Sequence, residues 1–531
     1  MRKINFIFIV LFSLFLIVSC GSDTDSCEQN EDCGNGFTCD QNAGECVPEN
    51  GENTGETADG GNHEGENPGE GNGGGNNNNP GGNTEEDPGQ GGIYVTCTPG
   101  ETRPCYEGPS GTEGVGICKA GYAECVEDGT DWSECREQVL PKSEVCSDGI
   151  DQDCDGADLT PETAVDIDGD GYTYCNGDCC ETTWDCIGDP VKVNPLSFEV
   201  PMNGVDDNCD GHIDEEVSAC DSGIMTDTTN PMDMAQSIDL CPVFDDKTFG
   251  VISAKLLFPD GTEGEIPAQQ HAVLTGYGNV LKPKAGTSFL AFSTGKVTAG
   301  QDEFSVDNGT QSDAPADWFQ AIGGSSFPDS PACGGGGLIG GQTSDPGKPP
   351  LNDPVMLELV IRAPKNAEAF GVGVYYISSE FPQYVCQFND FFVMLLDSTF
   401  TSSDPTLQNP ADKNIAMDSL GNPLGINLAK SGLFNVCCPR AAYPSCQGDD
   451  ELKGTPFTPN QCPSGVVGAV TMENAHGATG WLEVRGNIVP GEEFKLRMAI
   501  WDTNDHVLDS MVLIDNFQWY EVAGKPGIAP K

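Results

Sequence analysis

FKLRMAIWD (494–502) and SMVLIDNFQWY (510–520) are the stretches that decide the fold. Each is a short apolar run, rich in aromatic and β-branched residues, and turn formers separate the two. The same character recurs in WLEVRGNIV (481–489), DFFVMLL (390–396), FGVGVYYIS (370–378), VMLELVIR (355–362), SFLAFSTG (288–295) and HAVLTGYG (271–278). Gly, Pro, Asn and Asp bound these runs, and no long 3.6-residue periodicity competes with them. The pattern predicts a mainly β protein with a C-terminal jelly-roll-like β-sandwich over about 233–522.

Upstream the composition changes. Residues 93–221 are rich in Cys, Asp and Gly, with little periodic hydrophobicity. Three segments there share one spacing: Asp151, Asp153, Asp155 and Gly156, with Glu162 at position twelve; Asp166, Asp168, Asp170 and Gly171, with Asp178 at position thirteen; and Asp206, Asn208, Asp210 and Gly211, with Asp214 at position nine. Oxygens at positions one, three and five point into one loop interior, and a glycine at six lets the chain reverse. That is the front half of a Ca²⁺ loop. The back halves depart from the EF-hand pattern and no helices flank them. The alternative is that these Asp residues only make Asx-turns in a disulfide knot. In the sandwich, Glu380, Asn389 and Asp390 form one acidic segment. Asp502, Asn504, Asp505, Asp509 and Asp515 form another, and convergence of the two at a sandwich edge would hold a second kind of Ca²⁺ site.

CSDGIDQDCDGAD, DIDGDGY, VNP and MNGVDDNCDGHIDEE (within 146–216) resemble the MopE-like metal-binding repeat of bacterial surface proteins. The positions matching its signature are Asp148, Asp151, Asp153, Asp155, Asp166, Asp168, Asp170, Asn203, Asp206, Asn208, Asp210 and Asp214. Gly156-Ala157-Asp158 is one residue shorter than the corresponding Gly211-to-Asp214 stretch, which leaves the role of Asp158 open. The family name implies copper. Copper favours thiolate and imidazole, and here His212 is the one nearby histidine. TGYGNVL, SEFPQYVCQFNDFFVMLL, KNIAMDSLGNPLGIN and the segment 489–519 resemble the choice-of-anchor L domain, over about 240–520. That resemblance implies a β-sandwich on a surface or secreted protein.

The N-terminus sets the location. Met1-Arg2-Lys3 precedes an apolar run, Ile4–Val18, and Ser19-Cys20-Gly21 follows. This is a signal peptide (1–19), and it resembles a lipoprotein lipobox with Cys20 as the lipidated residue. Its reading is a lipid-anchored protein of the outer membrane or cell surface. Removing Cys20 from 25 cysteines leaves an even number, consistent with disulfides in an oxidising compartment. Thirteen fall between Cys97 and Cys220 and seven beyond. Both counts are odd, so either one bridge crosses the boundary or two thiols stay free; Cys220 with Cys241 is the expected crossing pair. Residues 20–47 read as a four-Cys module, and 48–92 as a Gly/Asn/Glu linker spanning roughly 35–40 Å.

A net charge of −60 excludes nucleic acid as a partner and favours cations. No nucleotide, hydrolase or zinc-protease motif is present, so no enzyme is expected and no catalytic residue is assigned. Three functions remain open: extracellular protein or polysaccharide binding in adhesion, with Ca²⁺ as a structural cofactor; sequestration of Ca²⁺ or copper; and carbohydrate binding or processing, with Trp481, Trp501, Trp519 or Tyr384 stacking on sugars.

Overall fold

The computed structural model describes the strand pair 37–40 and 45–48 and most of 97–530. Within that range 143, 184–185, 216–218, 299–304, 325–326, 328–329, 334–350, 387–389, 438–445, 459–475 and 504–505 are not described. Cys20, the signal peptide, the linker beyond Pro48, Asn389, Asn504 and Asp505 therefore lie outside the described residues. The chain divides into two units, Met1–Gly91 and Gly92–Lys531. In the first, β1 (Phe37–Asp40) pairs antiparallel with β2 (Glu45–Pro48), with Cys39 opposite Cys46.

The second unit opens with a small hairpin, β3 (Thr102–Cys105) on β4 (Gly121–Glu124). A long tract follows with no strand among its described residues. Then come β5 (Gly250–Leu257), β6 (His271–Leu274), β7 (Phe289–Ser293), β8 (Gln311–Ser312), β9 (Leu351–Arg362), β10 (Ala369–Ser378), β11 (Phe391–Asp397), β12 (Val436–Cys437), β13 (Gly477–Asn487), β14 (Glu493–Thr503), β15 (Ser510–Tyr520) and β16 (Gly527–Pro530). Two short helices, α1 (Pro231–Gln236) and α2 (Ala316–Ala321), lie among them. One sheet runs β12-β13-β10-β15-β7-β6, with β16 also on β13. The other runs β11-β14-β9-β5, with β8 on β9. All these pairings are antiparallel, and from β9 to β11 and again from β13 to β15 successive strands alternate between the sheets, as in a jelly roll.

Alternation of side chains explains the packing. Leu357, Leu359 and Ile361 of β9, Met498 and Ile500 of β14, and Val372 and Val374 of β10 meet in one buried core between the sheets. The opposite faces are covered as well. Tyr375, Ile377 and Leu513 pack under Leu452 and Phe457. Val393, Ala499 and Trp501 pack under Trp318 and Phe319 of α2. Covered faces make the central strands apolar on both sides, which is why their sequences read as continuous apolar runs.

His476, at the start of β13, is 1 % exposed and lies edge-on to the Phe457 ring at 5.9 Å. Burial pushes its imidazole down from 6.5 to about 4. The folded protein keeps this ring neutral while the unfolded chain takes up a proton. Its contribution is therefore intact above pH 6.5 and is lost as pH falls towards 4. Urea unfolding at pH 7 and pH 4.5 should show an acid loss of roughly 2–3 kcal/mol from this residue. The substitution His476→Asn should remove that share. An acid slope identical in both proteins would refute the assignment.

The Asp-rich tract is seated on the sandwich. Lys365 N donates to Leu196 O at 3.0 Å. Asn366 bridges both backbone groups of Phe198, at 2.9 and 2.7 Å. Phe198 enters the main core. Lys365 Nζ donates to the Asp170 carbonyl, and Lys247 Nζ to that of Asn176.

Candidate metal centre

The tract is held mainly by covalent links. Its bridges are Cys97–Cys125, Cys105–Cys135, Cys118–Cys154, Cys146–Cys175, Cys179–Cys209 and Cys180–Cys186, and Cys220–Cys241 ties it to the sandwich. Its own apolar cluster is small, built on Cys180, Val193 and Val205.

Within this frame the three Asp-rich loops fold alike. The first-position carboxylate accepts from the sixth-position glycine amide each time: Asp151 from Gly156 at 3.0 Å, Asp166 from Gly171 at 3.0 Å, and Asp206 from Gly211 at 2.9 Å. Those glycines have φ of 109°, 98° and 91°, a region that a side chain disfavours. The third position accepts from the fifth amide: Asp153 from Asp155, Asp168 from Asp170, and Asn208 from Asp210. The fifth accepts from the seventh: Asp155 from Ala157, Asp170 from Tyr172, and Asp210 from His212. These are Asx-turns, and they spend only part of each carboxylate.

The remaining oxygens are what matter. Oδ1 of Asp151, Oδ2 of Asp168, Asp170 and Asp178, Oε1 of Glu181 and Oε2 of Glu215 are buried without a hydrogen-bond partner. A buried anionic oxygen left unpaired costs several kcal/mol, so a partner is required. In the first loop Glu144, Asp151 and Asp153 bring one oxygen each within 4.8 Å of one another. In the second, Asp166, Asp168 and Glu181 do so, as do Asp168, Asp170 and Asp178. Burial, with neighbouring carboxylates adding to it, pushes Asp170 and Asp178 up to about 6. Burial also raises Asp153, Asp168, Glu181, Glu199 and Asp206. Asp178 also lies beside Cys179 and Cys209, but those sulfurs are bonded to each other.

The expected residues are distributed unevenly. Asp151, Asp153, Asp166, Asp168, Asp170 and Asp178 converge. Asp155 and Asp210 are exposed, each capping its own turn, and Glu162 is exposed, away from the first loop's carboxylate group. Asp214 caps the amides of Asn203 and Gly204, and Asp158 caps Gly149 in the same manner, so the shorter first loop keeps that contact. Asn208 turns its amide to Glu215. Sequence reasoning missed Glu144 and Glu199. Each stands seven residues before the first Asp of its loop and accepts from the third-position amide, Asp153 or Asn208. That shared offset was a readable signal.

In the sandwich the two acidic segments do meet. Asp390 accepts from Thr503 N at 3.1 Å and Ser510 Oγ at 2.8 Å. Glu380, Asp390, Asp502 and Asp509 are each no more than 3 % exposed. Burial, then the charge of Asp390, holds Asp502 well above the carboxylate range, and burial pushes Asp509 up to about 7. Beside them His506 Nδ1 lies 2.7 Å from Asp353 and 3.3 Å from Asp307, a group unseen in sequence. Trp501 is fully buried against Trp318 and offers no stacking face. Trp519 packs edge-on against Phe249 and Phe517.

A jelly-roll sandwich carrying a disulfide-stapled, acid-lined module is the class of protein these features define. Two family models match within it. Residues 372–518 match the choice-of-anchor L domain. Residues 142–158 and 185–215 match the Cu-binding MopE model, described as "Putative metal-binding motif". The second match covers the first and third loops and leaves the second loop between its segments. No curated protein and no solved structure matches the chain. The two matches agree with a surface-associated protein bearing a metal-binding motif.

Proposed function

We propose that this protein is a lipid-anchored cell-surface protein that displays a Ca²⁺-filled, disulfide-stapled module docked on a β-sandwich, and that the sandwich binds an extracellular protein or polysaccharide. The observation that carries the metal assignment is the set of buried, unpartnered carboxylate oxygens in the first two loops. Glu144, Asp151 and Asp153 would hold one ion, and Asp166, Asp168, Asp170, Asp178 and Glu181 another. Bound Ca²⁺ supplies positive charge and oxygen coordination, and it does no covalent chemistry here. The donor set favours Ca²⁺ over the copper in the family model's name. It is all oxygen, every described cysteine of the tract is in a disulfide, and His212 is exposed and belongs to none of the carboxylate groups that bring their oxygens together. Lipidation at Cys20, the surface destination, the extracellular ligand and the absence of a catalytic role belong to the same proposal.

Elemental analysis tests the metal. Protein purified without chelator from medium containing both metals should carry about two or more equivalents of calcium per chain and no stoichiometric copper. Copper at one equivalent or more, with calcium absent, would overturn the assignment.

A further inference from the structure

A second kind of carboxylate cluster sits where the disulfide tract joins the sandwich, outside the three loops and outside both matched segments of the MopE-type model. Asp221 directly follows Cys220, Asp239 lies two residues before Cys241, and Asp515 is on β15. Their side chains converge on the backbone of Lys284–Ser288. Asp221 is 1 % exposed. Its Oδ2 accepts from Thr287 N at 2.6 Å, Thr287 Oγ1 at 3.0 Å and Ser288 Oγ at 2.8 Å, donors that stabilise the ionised form. Its Oδ1 is buried and accepts nothing, and the same holds for Oδ2 of Asp239.

The two carboxylates lie side by side against Gly286. A Cβ placed on Gly286 would lie 2.7 Å from Asp221 Oδ2 and 2.8 Å from Asp239 Oδ1. Gly286, at φ 56°, leaves that space open. Asp515 closes the far side, accepting from Lys284 N and from Asn516 N at 2.5 and 2.7 Å. Among the described residues no Lys or Arg forms an ion pair with any of the three. The nearby Lys284 turns its ammonium over the Trp481 ring instead, at 5.7 Å. An entry path exists, because Asp239, Gly286 and Asn516 line a groove of about 890 Å³ between the tract and the sandwich.

We infer that Asp221 and Asp239, backed by Asp515, form a further divalent-cation site of the Ca²⁺ class that clamps the disulfide tract onto the sandwich. The ion takes the two neighbouring carboxylates, whose Asp221 Oδ1 and Asp239 Oδ2 have no hydrogen-bond donor, and so joins the residue after Cys220 to the segment that ends at Cys241. The Cys220–Cys241 bridge limits how far the two segments separate, and the ion sets their angle. Unlike the loop ions, this one bridges two layers of the structure.

The test uses the full chain and its Asp221→Asn/Asp239→Asn double variant, titrated with Ca²⁺ after chelator removal. The variant should bind one equivalent fewer than the parent, with its other sites unchanged. In EDTA it should melt higher than the parent, because a like-charge pair has been neutralised, and added Ca²⁺ should raise its midpoint less. Asp239→Asn alone, at the half-buried position, gives the same readout if the double variant fails to fold. Equal stoichiometry in parent and variant overturns this site while leaving the loops standing. A parent that binds no Ca²⁺ at all overturns both this site and the loop assignment.

Discussion

Stripping divalent cations from the full chain lowers the midpoint of its first thermal transition by roughly 20 °C, and restoring Ca²⁺ recovers it. The magnitude follows from mass action. An ion at 100 times its dissociation constant stabilises the folded form by about 2.7 kcal/mol, so two loops together supply about 5 kcal/mol. The tract they hold has roughly 125 residues, and in a unit of that size each kcal/mol moves the midpoint by about 4 °C. The sign follows from the carboxylates. Without an ion, Asp168, Asp170, Asp178 and Glu181 crowd buried, unpaired oxygens together, and the tract has little apolar packing to offset their repulsion. The sandwich, with its large core, should melt later and shift less. Scanning calorimetry with EDTA and with Ca²⁺ is the measurement. The substitutions Asp168→Asn and Asp170→Asn should raise the EDTA midpoint and blunt the recovery. Superimposable scans with and without chelator would remove Ca²⁺ from the account.

Much of this architecture is legible in the sequence. The runs at 355–362, 370–378, 390–396, 481–489, 494–502 and 510–520 coincide with β9, β10, β11, β13, β14 and β15, because short runs between turn formers have few alternatives to a strand. The loops were legible because a side-chain oxygen two residues from the next is a local property. Parity left either a crossing bridge or two free thiols, and the expected crossing pair, Cys220 with Cys241, is the bond the structure makes. Non-local contacts were the hidden part. Glu181 reaches Ile167 N across fourteen residues, and Asp353 meets His506 across 153. No spacing rule brings such pairs together. The docking of Phe198 on Asn366 was equally invisible, since a single aromatic in a polar tract carries no period. The loops' back halves misled for a related reason: the twelfth-position acid matters in an EF-hand because a helix presents it, and here no helix follows Asp155, so Glu162 points to solvent.

Reducing the disulfides should unfold residues 97–215 while β9 to β15 stay folded. Six bridges lie within that segment, and most close loops of 28–36 residues. In the chain-entropy picture, loops of that length contribute about 3–4 kcal/mol each. A tract whose apolar cluster rests on Val193 and Val205 has nothing of similar size to replace them. The sandwich differs: Cys333–Cys386 and Cys437–Cys446 are its described internal bridges, and its stability resides in the core between two sheets. Backbone hydrogen exchange followed by mass spectrometry, with and without reductant and at constant Ca²⁺, separates the two regions. Amides of the Asp-rich loops should lose protection, because a carboxylate loop whose ends are free no longer holds its oxygens at one point. Strands β10, β14 and β15 should keep theirs, apart from the edge where Asn366 loses its contact with Phe198. Simultaneous loss across the sandwich would mean that the tract is part of the sandwich's own folding unit, and the bridges would then support the whole body rather than the ion-binding module alone.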